Sequence, residues 1–112
     1  MMNWSEKLGA IRTDLRGLNR TIPDTTRAFN GLGKAAKEGG VLDAKTKEFV
    51  ALGISVADRC EPCIGLHIEA LIKLDASRDE VADVLGMCIQ MGGGPSLMYS
   101  AKALACFDEL TA

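Results

Sequence analysis

The sequence has few aromatic residues, no excess of positive charge and no long apolar run, and each absence narrows the class of protein. Only five of the 112 residues are aromatic, too few for a surface on which nucleobases stack. The formal net charge is −2, with lysines and arginines scattered along the chain, so no basic footprint for nucleic acid is present. No apolar run approaches the ~20 residues of a membrane-spanning helix. We therefore expect neither nucleic-acid binding nor membrane insertion.

The first residues also lack the basic start and the apolar stretch of a secretory signal peptide. We therefore expect a cytoplasmic protein. In that reducing compartment, two cysteines three positions apart are more often catalytic or metal-binding than a structural disulfide. Of the four cysteines, Cys60 and Cys63 form such a pair, whereas Cys88 and Cys106 fall on apolar faces and are expected in the core.

The chain consists of helical patterns, and no stretch alternates apolar and polar residues long enough for a strand. Apolar residues three and four positions apart predict a first helix over 4–18, which Pro23 prevents from continuing. A second helix is predicted over 24–37, before two adjacent glycines. Asp43 is a suitable N-cap for a third helix. Because its interior is apolar nearly all round, we expect this helix in the middle of the structure.

Three more helices follow the third. Pro62 suits the first turn of a fourth helix, which should end near residues 74–75. Ser77 and Glu80 form a capping-box pattern that opens a fifth. We predict Ser96 as the cap of the last, with an inward face of Met98, Ala101, Leu104, Ala105 and Phe107. The fold class predicted is thus all-α, a compact bundle of about six helices forming one domain over residues 1–112, and its apolar surface should drive self-association.

The stretch 48–67 carries the residues with chemistry. Cys63, in the first turn of the fourth helix, lies near unpaired N–H groups that favour a thiolate. Cys60 can reach its sulfur and close a disulfide after oxidation. His67, the only histidine, lies four residues after Cys63 and shares its helix face, so it can take the thiol proton. Glu48 could orient that imidazole.

Helix geometry limits how Glu48 can reach His67. A straight helix from Glu48 to Cys60 would separate them by ~18 Å at ~1.5 Å per residue, so the chain must turn back near 58–60. The antiparallel fourth helix then brings His67 back by ~6 Å. We expect Glu48 to meet the imidazole either directly or through a water.

Other interpretations of these four residues stay open at this point. Cys60, Cys63, His67 and Glu48 could be zinc ligands, although no second pair of ligands accompanies them. A non-enzymatic helical oligomer that binds zinc or a partner at this site is the main alternative. Each residue could also be ordinary: a core cysteine, a structural histidine, or a solvated glutamate in the first turns of a helix.

The spacing of Glu48, Cys60, Cys63 and His67 resembles the core motif of the alkylhydroperoxidase D-like, or carboxymuconolactone decarboxylase, superfamily, and the similarity covers roughly residues 25–110. The resemblance implies a helical trimer or hexamer without a cofactor. It implies a peroxidase in which Cys63 attacks a hydroperoxide, Cys60 resolves it, and His67 and Glu48 relay the proton. The reductant would be a dithiol protein, lipoylated or thioredoxin-like.

Two features depart from the peroxidase pattern. Pro62 stands where some peroxidases of the family have a second histidine, and it offers no group for proton transfer. The chain also has one copy of the motif, where the best-known peroxidase has two. A lactone decarboxylase activity, found in another branch, is disfavoured because that branch typically lacks the cysteine pair.

Overall fold

Six α-helices joined by short connections make up the chain in this computed structural model, which describes residues 1–112. In chain order the helices are α1 (Trp4–Thr21), α2 (Pro23–Lys37), α3 (Ala44–Ala57), α4 (Glu61–Lys73), α5 (Arg78–Gly92) and α6 (Gly94–Leu110). The predicted all-α fold is therefore confirmed. None of the helices is both long enough and apolar enough to cross a membrane.

Side-chain caps begin several of these helices where the sequence predicts them. The Asp43 carboxylate accepts the backbone N–H of Thr46 at 2.7 Å. Ser77 and Glu80 form the reciprocal capping box at the start of α5. These caps satisfy N–H groups that have no partner inside the helix. They are local devices, and for that reason the sequence reveals them.

The hydrophobic core contains twelve side chains, eleven from the helices other than α2 and one, Ala76, from the connection between α4 and α5. The antiparallel pair α3 and α4 supplies the largest fully buried ones: Leu52, Val56, Ile64, Ile68 and Leu71. Burying a side chain of this size contributes about 1.5–3 kcal/mol relative to leaving it exposed. The pair α3 and α4 is therefore fixed in register by its core, and that register positions the site.

The turn between α3 and α4 reverses the chain within three residues. Arg59 adopts the left-handed conformation with φ 55°, and the N–H of Cys60 donates to the Ser55 carbonyl at 3.0 Å. The reversal expected near residues 58–60 is thus present. Because it is so tight, α4 starts directly beside the end of α3.

Helix α1 packs on α4 at a glycine. A Cβ added to Gly65 would lie 2.9 Å from Leu8 Cδ2 and 3.1 Å from Trp4 Cζ3. The Leu8 side chain would have to shift, and the Trp4 ring would have to move by a few tenths of an ångström. Gly65 therefore allows α1 and α4 to approach closely.

The start of α6 differs from the prediction. Ser96 is the third residue of the helix and is buried, and the cap position belongs to Gly93. Gly93 adopts φ 69°, which a glycine accepts without steric cost, so the helix can begin three residues earlier than expected. Ser96 instead packs under Gly92, where a Cβ would lie 1.9 Å from its Oγ.

The inward face of α6 was also only partly predicted. Phe107 is buried and Leu104 half-buried, as expected, but Met98, Ala101 and Ala105 are exposed. The buried positions are instead Ser96, Ser100, Ala103, Cys106 and Phe107. The prediction assumed that the more apolar side chains would face the core. The small serines permit close packing there, and the apolar side chains remain on the surface.

Candidate functional site

The two cysteines of the predicted pair form a disulfide at the start of α4. Their Cα atoms lie 5.2 Å apart. Cys60 is the N-cap residue, and the N–H of Cys63 donates to Cys60 Sγ at 3.2 Å. Both residues are half-buried. The positive end of the helix thus acts on both sulfurs, and its direct hydrogen bond goes to Cys60 rather than to Cys63.

His67 lies one turn of α4 after Cys63, on the same side of the helix. Its ring nitrogen Nδ1 is 2.6 Å from Glu48 Oε2. This is the direct contact, one of the two arrangements that the sequence allowed. When the ring is neutral and Nδ1–H donates to the carboxylate, the other nitrogen, Nε2, holds the lone pair that can accept a proton.

Glu48 is buried, with 6% of its surface exposed. It belongs to the second turn of α3, and its neighbours on the core side include Leu52. A buried carboxylate needs charged or hydrogen-bonding partners. Glu48 has two: His67 at Oε2, and the Lys37 ammonium 3.6 Å from Oε1. The interpretation of Glu48 as a solvated surface residue is therefore wrong.

Glu61, inside the cysteine pair, anchors the start of α4 to two other helices. Its carboxylate contacts Lys7 of α1 at 2.7 Å and Lys102 of α6 at 3.5 Å. The hydrogen bond from Lys7 is the main reason that the pKa of Glu61 lies below its usual value of 4.5, and Lys102 adds to the effect. These contacts fix the segment that carries the disulfide against the body of the protein.

The family model for the carboxymuconolactone decarboxylase family matches residues 23–105 of this chain. The chain belongs to the carboxymuconolactone decarboxylase family. Two relatives, uncharacterized proteins of Cupriavidus necator and Haemophilus influenzae, are each 39% identical over 106 residues, which cover 95% of this chain and 94% of the relative. The resemblance seen in the cysteine motif thus extends along almost the whole chain.

Solved structures of the family show the same fold. A carboxymuconolactone decarboxylase family protein from Legionella pneumophila superimposes with a TM-score of 0.93, at 43% identity and 97% coverage of both chains. A family protein from Thermotoga maritima, for which a part in the antioxidative response has been suggested, gives a TM-score of 0.72 at 31% identity, covering 78% of this chain and 90% of its own.

The other two cysteines of this family member lie apart from the disulfide. Cys106 is buried, and desolvation is the main cause that raises its pKa to about 12, with Glu109 and Glu69 contributing. Burial also raises the pKa of Cys88, which is half-buried. Both thiols are therefore held in the protonated, unreactive form. The expected core position is confirmed for Cys106, and Cys88 packs at the edge of the core.

The four residues considered as zinc ligands are arranged around other contacts in this structure. A zinc site would bring both cysteine sulfurs, the imidazole and a carboxylate around one ion. Here the sulfurs are bonded to each other and Glu48 occupies one nitrogen of His67. No three histidine, cysteine, aspartate or glutamate side chains converge as metal ligands.

Sequence reasoning missed one residue of the site, Lys37. It belongs to the last turn of α2, eleven positions before Glu48 along the chain. A lysine near a helix C-terminus is common because it interacts favourably with the helix dipole, so nothing in the local pattern marks it. Lys37 comes close to Glu48 because the end of α2 is hydrogen-bonded to Lys47 at the start of α3.

Proposed function

We propose that the protein is a thiol-dependent peroxidase, which reduces a hydroperoxide or a related small electrophile through a Cys60–Cys63 disulfide cycle. One observation carries the proposal: a disulfide at a helix N-terminus lies one turn from an imidazole that a buried carboxylate orients. The antioxidative role suggested for the Thermotoga maritima relative supports it further.

In the first step His67 takes the proton of the Cys63 thiol on Nε2. The thiolate attacks the terminal oxygen of the hydroperoxide, and the O–O bond breaks. Sulfur is oxidised by two electrons to a sulfenic acid, while the departing alkoxide receives the proton back from the imidazolium and leaves as an alcohol. Glu48 keeps the ring in the required tautomer and stabilises its charged form.

In the second step the Cys60 thiol attacks the sulfenic sulfur of Cys63. The S–S bond forms, the S–O bond breaks, and water leaves with the Cys60 proton. The 5.2 Å separation of the two Cα atoms is within the normal range for a disulfide, so this step requires little movement of the helix start.

A dithiol must then reduce the disulfide and becomes a disulfide itself. Its thiolate attacks Cys63, and Cys60 leaves as a thiolate that the N–H of Cys63 already contacts at 3.2 Å. The second thiol of the reductant then releases Cys63. We propose a lipoylated or thioredoxin-like protein as this reductant. We propose the cytoplasm as the compartment, because the cycle needs a reducing environment that supplies dithiols.

The test is catalytic turnover with a soluble dithiol. Purified protein is supplied with dihydrolipoamide and an organic hydroperoxide, and peroxide consumption is followed. We expect many turnovers per chain, lost in Cys63→Ser and in Cys60→Ser. Turnover that persists in Cys63→Ser would refute the proposal.

Metal analysis separates the proposal from the zinc-binding alternative. Protein purified without chelator should contain no stoichiometric zinc. One zinc per chain, lost in Cys60→Ser, would favour the alternative.

A further inference from the structure

We propose that Lys37 is a positioning residue for the Glu48–His67 pair, holding the carboxylate in place and setting the ionisation of the imidazole. The catalytic meaning of this inference rests on the proposed function, but its structural basis does not. Glu48 on α3 contacts both Lys37 on α2 and His67 on α4. The ionisation of the His67 imidazole therefore depends on Lys37 as well as on Glu48.

The two oxygens of Glu48 are divided between these partners. Oε2 lies 2.6 Å from His67 Nδ1, and Oε1 lies 3.6 Å from Lys37 Nζ. Because the Glu48 carboxylate is almost fully buried, the interaction with Lys37 is less screened than an ordinary surface ion pair. The Lys37 side chain itself is 61% exposed, so its removal leaves no cavity.

Lys47, the residue before Glu48, holds the end of α2 in the required place. Its Nζ donates to the carbonyl oxygens of Ala36, Lys37 and Gly39 at 3.0, 3.3 and 2.6 Å. Helix α2 contributes no residue to the core, so these bonds are a main attachment of its C-terminus to α3. Two adjacent residues of α3 thus contact the end of α2. Lys47 binds its backbone carbonyls, and Glu48 forms an ion pair with the Lys37 ammonium.

Other charges near α4 are directed away from His67. The cations of α1 and α6 that contact α4 pair with carboxylates about 120–160° around the helix from His67 at 3.6 residues per turn: Lys7 and Lys102 with Glu61, and Arg12 with Glu69. Lys47 is engaged with carbonyl groups. On the remaining elements, Lys45 of α3 pairs with Glu80 and Lys73 of α4 lies near Glu69. The ring contacts Glu48, which contacts Lys37, and Cys63 lies one turn before the ring on the same helix.

The sign of the Lys37 effect follows from this arrangement. The positive charge of Lys37 disfavours a second positive charge on the imidazole. Lys37 also competes with the imidazolium for the negative charge of Glu48. Without Lys37, the imidazolium form of His67 gains stability, so the titration midpoint of the ring rises. The Glu48 carboxylate lies between Lys37 and the imidazole, and we expect a partly screened charge across it to shift the midpoint by about half a pH unit.

NMR titration of the ring tests this directly, because His67 is the only histidine in the chain. The disulfide form of wild type is compared with Lys37→Gln and Lys37→Arg. Lys34→Gln is the matched control, since Lys34 lies in the same last turn of α2 and is exposed. We expect the midpoint to rise by about half a unit in Lys37→Gln and to stay unchanged in the other two.

An unchanged midpoint in Lys37→Gln, or an equal rise in Lys34→Gln, would overturn the inference. The titration needs no substrate, so its result is separate from the proposed function. A wild type that shows no peroxide turnover would refute the peroxidase while the midpoints still decide the role of Lys37. A wild type that turns over, with equal midpoints in all variants, would refute the role of Lys37 alone.

Discussion

The Nδ1 atom of His67 and the Oε2 atom of Glu48 lie 2.6 Å apart, joining α4 to α3 one helical turn after Cys63. Nineteen positions separate the two residues in the chain. The contact exists because the tight turn after α3 makes α4 antiparallel and the buried faces of the two helices fix their register. A carboxylate so placed selects the tautomer that leaves Nε2 free to exchange protons.

Replacing Glu48 by glutamine should slow the reaction of the protein with peroxide. The amide keeps the shape but removes the negative charge, so the imidazolium that forms during proton transfer loses its partner. Loss of the carboxylate that orients the proton acceptor should reduce the rate of thiol oxidation by about 10- to 100-fold. Stopped-flow measurement of thiol loss checks this, with the exposed Glu38→Gln as control. A rate equal to that of wild type would contradict the relay.

The two cysteines should give different products when separated. In Cys60→Ser, peroxide should leave a sulfenic acid on Cys63, because the resolving thiol is missing, and dimedone should trap one adduct per chain. In Cys63→Ser, no rapid adduct should form on Cys60. Mass spectrometry of the labelled peptide distinguishes the sites. An adduct on Cys60 in Cys63→Ser, with none on Cys63 in Cys60→Ser, would reverse the assigned roles.

Features set by nearby residues were predictable from the sequence, whereas those set by tertiary packing were not. The cap at Asp43 and the Cys63–His67 register depend on residues within one helical turn. Direct contact between Glu48 and His67 could be foreseen only as one of two arrangements, because it depends on the turn at Arg59. Lys37 could not be foreseen, since it depends on how the end of α2 is held.

The start of α6 shows a further limit of the sequence. Ser96 has the residue type of a cap, and only the positive φ of Gly93 makes an earlier start available. Both alternatives satisfy the local preferences. The choice between them depends on how Ser96 packs against Gly92, which the sequence pattern does not reveal.

Replacing Gly65 by alanine should destabilise the fold. The new methyl group would meet Leu8 and Trp4 at 2.9–3.1 Å. Overpacking of this kind costs about 1–3 kcal/mol, partly offset by the better helix propensity of alanine. Urea unfolding measures the change. Gly9→Ala on the facing helix α1, where nothing lies within 4 Å of the new Cβ, should be neutral or slightly stabilising, and a similar gain in Gly65→Ala would refute the close approach.

The contribution of Glu61 to stability should depend on pH. Lys7 and Lys102 hold the pKa of Glu61 below its ordinary value of 4.5. Its contribution is therefore present above pH 4.5 and is lost as the pH falls through the lowered folded-state pKa. The free energies of unfolding of wild type and Glu61→Gln, measured with urea, should differ by at most about 1 kcal/mol at pH 7.

The difference between wild type and Glu61→Gln should then shrink as the pH is lowered toward 3. Asp83→Asn serves as control, because Asp83 is exposed and forms no ion pair. It should change stability little at either pH. If the difference in free energy of unfolding between wild type and Glu61→Gln stays constant or grows in acid, the ion pairs of Glu61 do not stabilise the folded state.

Self-association stays a prediction, and the exposed face of α2 offers a test. Phe29 is 72% exposed in the single chain, and no residue of α2 is buried. Exposed apolar side chains of this extent are typical of subunit contacts. Sedimentation should reveal an oligomer that Phe29→Glu weakens, while Asn30→Glu, one position along, leaves it intact. A wild type that sediments as one chain at all concentrations would refute the prediction.

The most direct test of the central claim is a thiol count on reduced, metal-free protein before and after one equivalent of an organic hydroperoxide, timed over seconds to minutes. The proposed cycle predicts rapid loss of two thiols per chain. The same loss should occur in Cys88→Ser and Cys106→Ser, and it should be abolished in Cys63→Ser. No loss of thiols over many minutes would contradict a peroxidase.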